Sequence, residues 1–394
     1  MKIQVRNVYK VFGKNPERGV SLFKEGVSKD EILKKHRLTV GVADASFDVE
    51  QGEVFVIMGL SGSGKSTLIR CLNRLHEPTS GQILVDGDDV VAMDHQELRE
   101  MRRAKMGMVF QRFALLPSRT ILDNVAFGLE IQGIDRDKRR ETAAETIKAV
   151  GLDGWENHYP SELSGGMQQR VGLARALASD PDILLMDEPF SALDPLIRKE
   201  MQDELLRLQS KMNKTIVFIT HDLDEALSLG DRIAIMKDAQ IIQQGTSEDI
   251  LNHPEDDYVA RFTEGVDRSK ILTAENVMKK PITTAALDRD GVNTILRKME
   301  RHGVSSVLVV DRDNVLQGAV QADDLARAKR EDLSVRDVMT AEVPTTPPDR
   351  SIRELLETAS DTPFPISVVD EDRRLMGIIV RGHVLAALSR RGEL

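Results

Sequence analysis

The run Gly59-Leu60-Ser61-Gly62-Ser63-Gly64-Lys65-Ser66-Thr67 has the residue types and spacing of a phosphate-binding P-loop. Its glycines let backbone N–H groups turn inward around phosphate oxygens with no Cβ in the way. A helix opening at the end of the loop adds about half a positive charge. Lys65 can then reach the β- and γ-phosphates, and Ser66 can offer its hydroxyl to Mg²⁺. The apolar run Val54–Met58 before the loop and the helical stretch Ser66–Leu75 after it give the strand–loop–helix context. A chance Gly/Ser loop would have neither flank.

Two further groups could act on a bound phosphate. Ile183-Leu184-Leu185-Met186-Asp187-Glu188 is an apolar strand ending in two carboxylates. Asp187 can hold Mg²⁺ through its water shell, and Glu188 can polarise an attacking water as general base, a role worth roughly 10²–10⁴-fold. Alone, such a pair is more often a strand ending in surface acids; beside a P-loop it is not. Leu163-Ser164-Gly165-Gly166-Met167-Gln168-Gln169-Arg170 is a Ser/Gly turn opening a helix. That is an anion site, or equally a helix cap with no ligand.

These groups need elements to position them. Val54–Met58, Ile183–Met186, Thr215–Ile219 and Ile233–Met236 are short apolar runs bounded by polar or turn residues, and are predicted strands. Helical stretches lie between them: Ser66–Leu75, Arg136–Val150, Met167–Ala178 and Ile197–Met212. This alternation predicts an α/β fold with a largely parallel sheet and helices on both faces. Asn15–Val40 is an insertion ahead of the P-loop strand. Ser28-Lys29-Asp30-Glu31 has capping-box spacing and predicts a short helix over Glu31–His36. The insertion is expected to be a solvated packing element without chemistry.

After about Arg268 an internal repeat begins. Ile271–Pro281, containing Glu275-Asn276-Val277-Met278, matches Leu333–Val343, containing Arg336-Asp337-Val338-Met339. Each lead-in is followed by a helix (Val292–His302, Ile352–Ser360), then a strand (Val307–Asp311, Ile366–Asp370). A second strand carries an interior glycine (Gly318 in Val315–Val320, Gly377 in Leu375–Val380), and a last helix closes each copy. Two such units can bury their apolar faces against one another.

The bulk numbers narrow the class. With 54 Lys and Arg against 64 Asp and Glu the net charge is −10, which argues against nonspecific nucleic-acid binding. No apolar run approaches the roughly 20 residues that span a bilayer, and the start has no signal-peptide core. A cytoplasmic protein is expected. Cys71 is the only cysteine, so an intrachain disulfide is excluded, and a small core residue is expected there. Aromatics make up 4% of the chain, so nothing suggests an aromatic cage for a quaternary ammonium.

The Leu163-Ser164-Gly165-Gly166 run resembles the signature of the ABC ATPase family. The resemblance implies that Ser164, Gly165 and Gly166 contact the γ-phosphate of ATP bound to a second copy, so that two chains sandwich two ATP molecules head to tail. By the same resemblance Gln111 touches Mg²⁺ and the attacking water, and Arg112–Thr120 faces a membrane subunit. Ser191-Ala192-Leu193-Asp194 is a dimer-contact loop, and His221 is a switch residue at the γ-phosphate. Phe12 is the ring that stacks on adenine, with Tyr9 as its neighbour and competitor; both rings could equally be core.

The insertion, the P-loop strand, Phe190–Gln202 and the tail repeat together resemble the ATPase subunits of glycine betaine/proline uptake systems. The tail is similar to a pair of CBS modules. In that family a glycine, a Thr/Ser and an Asp at intervals of three often bind an adenine nucleotide's ribose. Asp324 fits in the first copy, where Gln321 replaces Thr/Ser; His383 stands at the Asp position in the second. The resemblance implies an ABC-type ATPase domain with a helical subdomain over 1–267 and an α+β tandem CBS domain over 268–394, with copies about 271–330 and 333–390. It also implies ATP and Mg²⁺ as cofactors, a homodimer, transmembrane permease subunits, a separate or fused substrate-binding protein, and a peripheral place on the cytoplasmic face of the inner membrane. For the tail, an anionic lipid or an adenine nucleotide are the ligands left open, beside a packing role alone. Nucleic acid is not an expected partner. The rival readings are a soluble ABC ATPase acting on nucleic acid or ribosomes, or uptake of a different small cargo.

Overall fold

Among the described residues, the chain up to Gly245 forms ten strands in two sheets, and the four predicted apolar runs are β3, β7, β8 and β9 of these: β1 (Ile3–Phe12), β2 (Thr39–Val49), β3 (Val54–Met58), β4 (Ser80–Val85), β5 (Asp88–Asp89), β6 (Met106–Val109), β7 (Ile183–Asp187), β8 (Thr215–Thr220), β9 (Arg232–Lys237) and β10 (Gln240–Gly245). The computed structural model describes every residue except 112, 113, 192, 265, 268, 270, 271 and 390–394, and the side chains of 210, 211, 357, 360, 361 and 389. The chain divides into two units, Met1–Thr263 and Glu264–Leu394.

In the first unit the larger sheet has the order β10-β9-β3-β8-β7-β6. It is parallel from β9 to β6, with β10 antiparallel at one edge. Every residue of β3, β7 and β8 is buried, as parallel strands covered on both faces must be. The smaller sheet, β2-β1-β4-β5, is antiparallel and differs from the expected helix-only covering. The residues explain it. β1 buries Ile3, Val5, Val8 and Val11 while Asn7 and Phe12 stay exposed. Such one-sided strands suit an antiparallel sheet with one face in the core. Its inner face packs on the parallel sheet, with Phe47 stacked on Phe55 at 4.9 Å between ring centres. The helix Lys65–Leu72 buries Leu68, Ile69, Cys71 and Leu72 in the same core. Burial pushes the Cys71 thiol up to about 12.

The insertion folds into two helices, Pro16–Lys24 and Lys29–His36, each started by a side-chain cap, Asn15 on Arg18 N–H and Ser28 on Glu31 N–H. The second begins two residues before the predicted Glu31. Val20, Ile32 and Leu38 bury against Tyr9, Val11 and Val40. Between β6 and β7 lie the helices Ile121–Val125, Phe127–Ile131, Arg136–Ala149 and Gly165–Ala178, packed on a core of their own that includes Val125, Ile147 and Val171.

In the second unit each copy of the repeat forms a three-stranded sheet: Thr284–Ala286, Ser306–Val310 and Leu316–Gln321, then Thr345–Thr346, Ile366–Val369 and Leu375–Ile379. The sheets share an apolar contact, Leu308, Val310 and Leu316 against Phe364, Val369 and Leu375. The lead-ins are exchanged. Ala274 and Val277 pack in the core of the second copy, and Val335 and Val338 in the core of the first. Lys279 exchanges both backbone hydrogen bonds with Ile378, and Thr340 does so with Ala319. The interior glycines permit this, because a Cβ on Gly318 would lie 2.4 Å from Thr340 O and one on Gly377 2.8 Å from Met278 Sδ.

Candidate functional site

The P-loop follows β3, Asp187 ends β7 with Glu188 just after it, His221 follows β8, and Gln111 lies two residues beyond β6. All four strands are parallel neighbours, so their carboxyl ends open at one edge of the sheet, where loops can surround a ligand. A cleft of about 600 Å³ opens there, lined by Phe12, Leu60–Gly62, Gly64–Thr67, Gln111, Glu188 and His221 among others.

The loop holds its shape by backbone constraint. Gly64 caps the helix Lys65–Leu72 at φ 106°, and a Cβ there would sit 2.2 Å from Gly41 O. Gly59 has φ 148°, and its Cβ would meet Met236 O at 2.2 Å. No L-residue with a side chain fits either place. Gly59 and Ser63 are buried beneath the loop, Ser63 5% exposed with no hydrogen-bond partner for its Oγ. Of the expected nucleotide contacts, these two are the ones that do not face the cleft. Gly59 is the last step off a buried strand, and Ser63 turns toward the β9–β10 turn, where its carbonyl accepts from Ala239 N–H.

Lys65 is 4% exposed. Its Nζ donates to Gly59 O at 2.8 Å and Leu60 O at 3.2 Å, and lies 3.8 Å from Glu188 Oε1. Burial lowers the ammonium's pKa, against the pull of the Glu188 and Asp187 carboxylates that raise it. Asp187 is 1% exposed. It accepts from Ser66 Oγ at 2.7 Å and from Arg70 Nη2 at 3.1 Å.

Glu188 occupies the left-handed region, φ 47°, at a cost of roughly 1–2 kcal/mol for a residue with a Cβ. The surroundings hold it there. Its N–H donates to Ile219 O at 3.1 Å, and its carbonyl accepts from Ser191 Oγ at 3.0 Å. Its carboxylate thereby points into the cleft, where Gln111 Nε2 donates to Oε2 at 3.3 Å and His221 Nδ1 lies 3.1 Å from the same oxygen. A carboxylate held by two side chains, beside a buried ammonium and a loop of backbone N–H groups, is an arrangement that can orient water toward a phosphate.

The donor set suits Mg²⁺. Ser66, Asp187 and Gln111 offer hard oxygen ligands, few in number, as a metal bound largely by water and phosphate requires. Among the described residues no cluster of three or more His, Cys, Asp or Glu side chains could form a dedicated metal cage.

The structure separates Phe12 from Tyr9. Phe12 is 37% exposed on the cleft wall, edge-on to His76 at 5.4 Å; Tyr9 is 6% exposed within the insertion's core. Thr39, Val40 and Gly41, which no motif marks, also line the cleft. They do so because Thr39 pairs with Phe12 across β1 and β2. The insertion expected to lack chemistry thus delivers its last residues to the cleft wall. Arg70 was also missed. It lies one helical turn beyond Ser66, a spacing that places both on one face.

Ser164, Gly165 and Gly166 do not line this cleft. Ser164 is exposed and caps the helix Gly165–Ala178 by accepting from Met167 N–H at 3.3 Å. Gly166 lies where a Cβ would be 2.7 Å from Ile197 Cγ2. Asp194 is exposed and caps the helix Pro195–Met212, accepting from Leu196 and Ile197 N–H. Arg112 and Phe113 of the expected membrane-facing stretch, and Ala192 of the dimer-contact loop, lie outside the described residues. Among those described, buried Asn124 holds the rest of that stretch, bonding Leu116 N–H and the carbonyls of Leu116, Arg119 and Thr120.

In the second unit a cleft of about 640 Å³ lies where the Lys279–Thr283 lead-in meets Ile378–Arg381 and His383 of the second copy. Asp324 is not on its wall; its Oδ1 lies 3.5 Å from Arg327 Nη2, one turn on. Burial, and secondarily the charge of Lys279, lower the pKa of His383.

Comparison with known proteins agrees with both units. A family model described as ABC transporter matches residues 42–191, and one described as CBS domain matches 274–331 and 335–390. The chain is 53% identical to the glycine betaine transport ATP-binding protein OpuAA of Bacillus subtilis, over 100% of this chain and 94% of that one. It is 55% identical to the glycine betaine/carnitine transport ATP-binding protein GbuA of Listeria monocytogenes, over 98% of each. Among solved structures, a dimeric bacterial ABC transporter cassette matches with a TM-score of 0.54 at 34% identity, covering 62% of this chain and 98% of that one.

Proposed function

This chain belongs to the ATP-binding subunits of glycine betaine ABC transporters, and from that premise we propose how its residues divide the work. It hydrolyses ATP to power uptake of glycine betaine, proline or a related quaternary amine through separate membrane subunits, on whose cytoplasmic face it sits. Residues 1–267 form the ATPase part and 268–394 the regulatory tail. No helix among the described residues is long and apolar enough to cross a membrane, so the cargo path is built by other chains.

Adenine stacks on Phe12. Backbone N–H groups of Ser61–Lys65 and the Lys65 ammonium hold the phosphates, and Ser66, Asp187 and Gln111 would hold Mg²⁺. The metal would neutralise charge shared by the β- and γ-phosphates. Glu188 takes the proton of the attacking water, with His221 and Gln111 fixing its carboxylate. One observation carries this assignment: the Glu188 carboxylate stands between Gln111 and His221, 3.8 Å from Lys65. The signature residues Ser164, Gly165 and Gly166 are away from their own chain's cleft. They serve the ATP of a second copy, which docks through the loop ending at Asp194. In the tail, the cleft edged by Lys279, Lys280 and Arg381 takes an anionic regulator, either an adenine nucleotide or a lipid headgroup.

The experiment is labelled glycine betaine uptake in cells lacking this chain and in cells with it restored, with proline and carnitine as unlabelled competitors. Restored, ATP-dependent uptake supports the reading. Uptake that is equal with and without the chain, together with a pull-down of its partners that yields ribosomes rather than a polytopic membrane protein, would establish the rival.

A further inference from the structure

Two polar links tie the helix Pro195–Met212 to the helix Leu223–Leu229. Arg198 Nη1 donates to Asp222 Oδ2 at 3.2 Å, and Gln202 Nε2 to Glu225 Oε1 at 2.9 Å. Arg198 and Gln202 stand one turn apart and share a face. Gln202 and Glu225 are 8% and 7% exposed, so their bond is shielded from water. Asp222 caps its helix through the other oxygen, accepting from Glu225 N–H at 3.2 Å.

Arg198 has a second acceptor. Its Nη2 donates to Leu193 O at 3.3 Å, in the loop that leads from Glu188 to Asp194. That loop is itself tied to Glu188, because Ser191 donates from N–H at 3.3 Å and from Oγ at 3.0 Å to the Glu188 carbonyl. Asp222 is the chain neighbour of His221, whose Nδ1 lies 3.1 Å from Glu188 Oε2. The contacts close a ring, from Glu188 through Ser191 and Leu193 to Arg198, then through Asp222 and His221 back to Glu188.

We propose that Arg198 is a positioning residue for ATP hydrolysis, whose guanidinium holds the loop ending at Asp194 and the segment carrying His221 as one body. A displacement of the loop, where the second copy docks, then reaches the imidazole beside Glu188. The planar fork suits the task, since it serves a carboxylate and a carbonyl in different directions with separate nitrogens; a lysine ammonium has no such fixed geometry. The inference rests on the reading that Glu188 and His221 act on the attacking water.

The test is a double-mutant cycle on the full-length chain with Arg198→Met and Asp222→Asn, read as kcat and KM for ATP beside the thermal unfolding midpoint. Asparagine keeps the cap on Glu225 N–H, so Asp222→Asn removes the charge pair and spares the helix start. Each single change is expected to lower kcat about tenfold with KM within about twofold, and the double variant to fall no further than the worse single. Arg198→Lys should recover part of the loss. Unchanged kcat would overturn the proposal. So would losses that multiply to about a hundredfold in the double variant, or a loss of kcat that tracks unfolding at the assay temperature. Should Arg198→Met fail to fold, Arg198→Lys with Asp222→Asn completes the cycle. Glu188→Gln, run in parallel, separates the two readings. Normal turnover there would sink the base assignment, while the Arg198–Asp222 coupling is judged by the cycle alone.

Discussion

Glu188→Gln replaces the carboxylate held by Gln111 and His221 with a carboxamide of nearly the same shape. Its left-handed backbone, at φ 47°, is equally costly for glutamine, so the strain cancels between the two chains. The anchors on its backbone, Ile219 O and Ser191 Oγ, are untouched. Folding and the cleft's geometry should therefore survive. What is lost is the proton acceptor. A general base contributes about 10²–10⁴-fold, equivalent to about 3–5 kcal/mol in the barrier at 1.36 kcal/mol per tenfold. Phosphate release at saturating Mg-ATP should fall by that factor, while KM for ATP changes little. Lys65 loses the carboxylate 3.8 Å away, one of two that favour its charged form; bound phosphate replaces that charge. Closed dimers should accumulate with ATP, visible by size-exclusion chromatography. Near-normal turnover would refute the assignment, and so would a loss of turnover matched by a loss of ATP binding.

Phe12→Ala should raise Kd for ATP by about 5–150-fold, the range set by roughly 1–3 kcal/mol of stacking, while Tyr9→Phe leaves it unchanged; fluorescent ATP titration checks both. Ser164→Arg should abolish hydrolysis yet leave ATP binding intact. The lost helix cap costs only about 1 kcal/mol, and mixing with Lys65→Ala chains should restore one intact composite site per dimer. Mixed dimers that never close around nucleotide would argue against sharing between subunits. Removing residues 268–394 should preserve ATP hydrolysis but alter how uptake by reconstituted transporter responds to internal salt, because exposed charges are screened within about 10 Å at 0.1 M. Identical salt curves with and without the tail would leave it a packing module. With its thiol pushed up to about 12 by burial, Cys71 should resist thiol reagents at neutral pH in the native chain and react only after denaturation; rapid native labelling would contradict that burial.

The sequence alone determined the features whose signal is contiguous. The P-loop is legible because strand, glycine turn, lysine and helix start lie in one short run. The strand ending in Asp187-Glu188 is legible because its apolar residues and carboxylates are adjacent. Helix starts came within a few residues, as at Ser28, Ser164 and Asp194, because a cap is chosen by side chains close in the chain. The tail repeat showed itself by similarity between its copies. The tertiary structure decided what depends on residues far apart. It put Phe12 on the cleft wall and Tyr9 in the insertion's core, and brought Thr39–Gly41 to the cleft through pairing of β1 with β2. It exchanged the lead-ins of the tail, because Gly318 and Gly377 admit the other copy's backbone and methionine, a fact about space that no local pattern records. It likewise set the tail's cleft at His383 rather than at Asp324, and joined Arg198 to Asp222 across two helices. Periodicity reports which face of an element is buried; which distant element covers that face is settled only when the whole core packs.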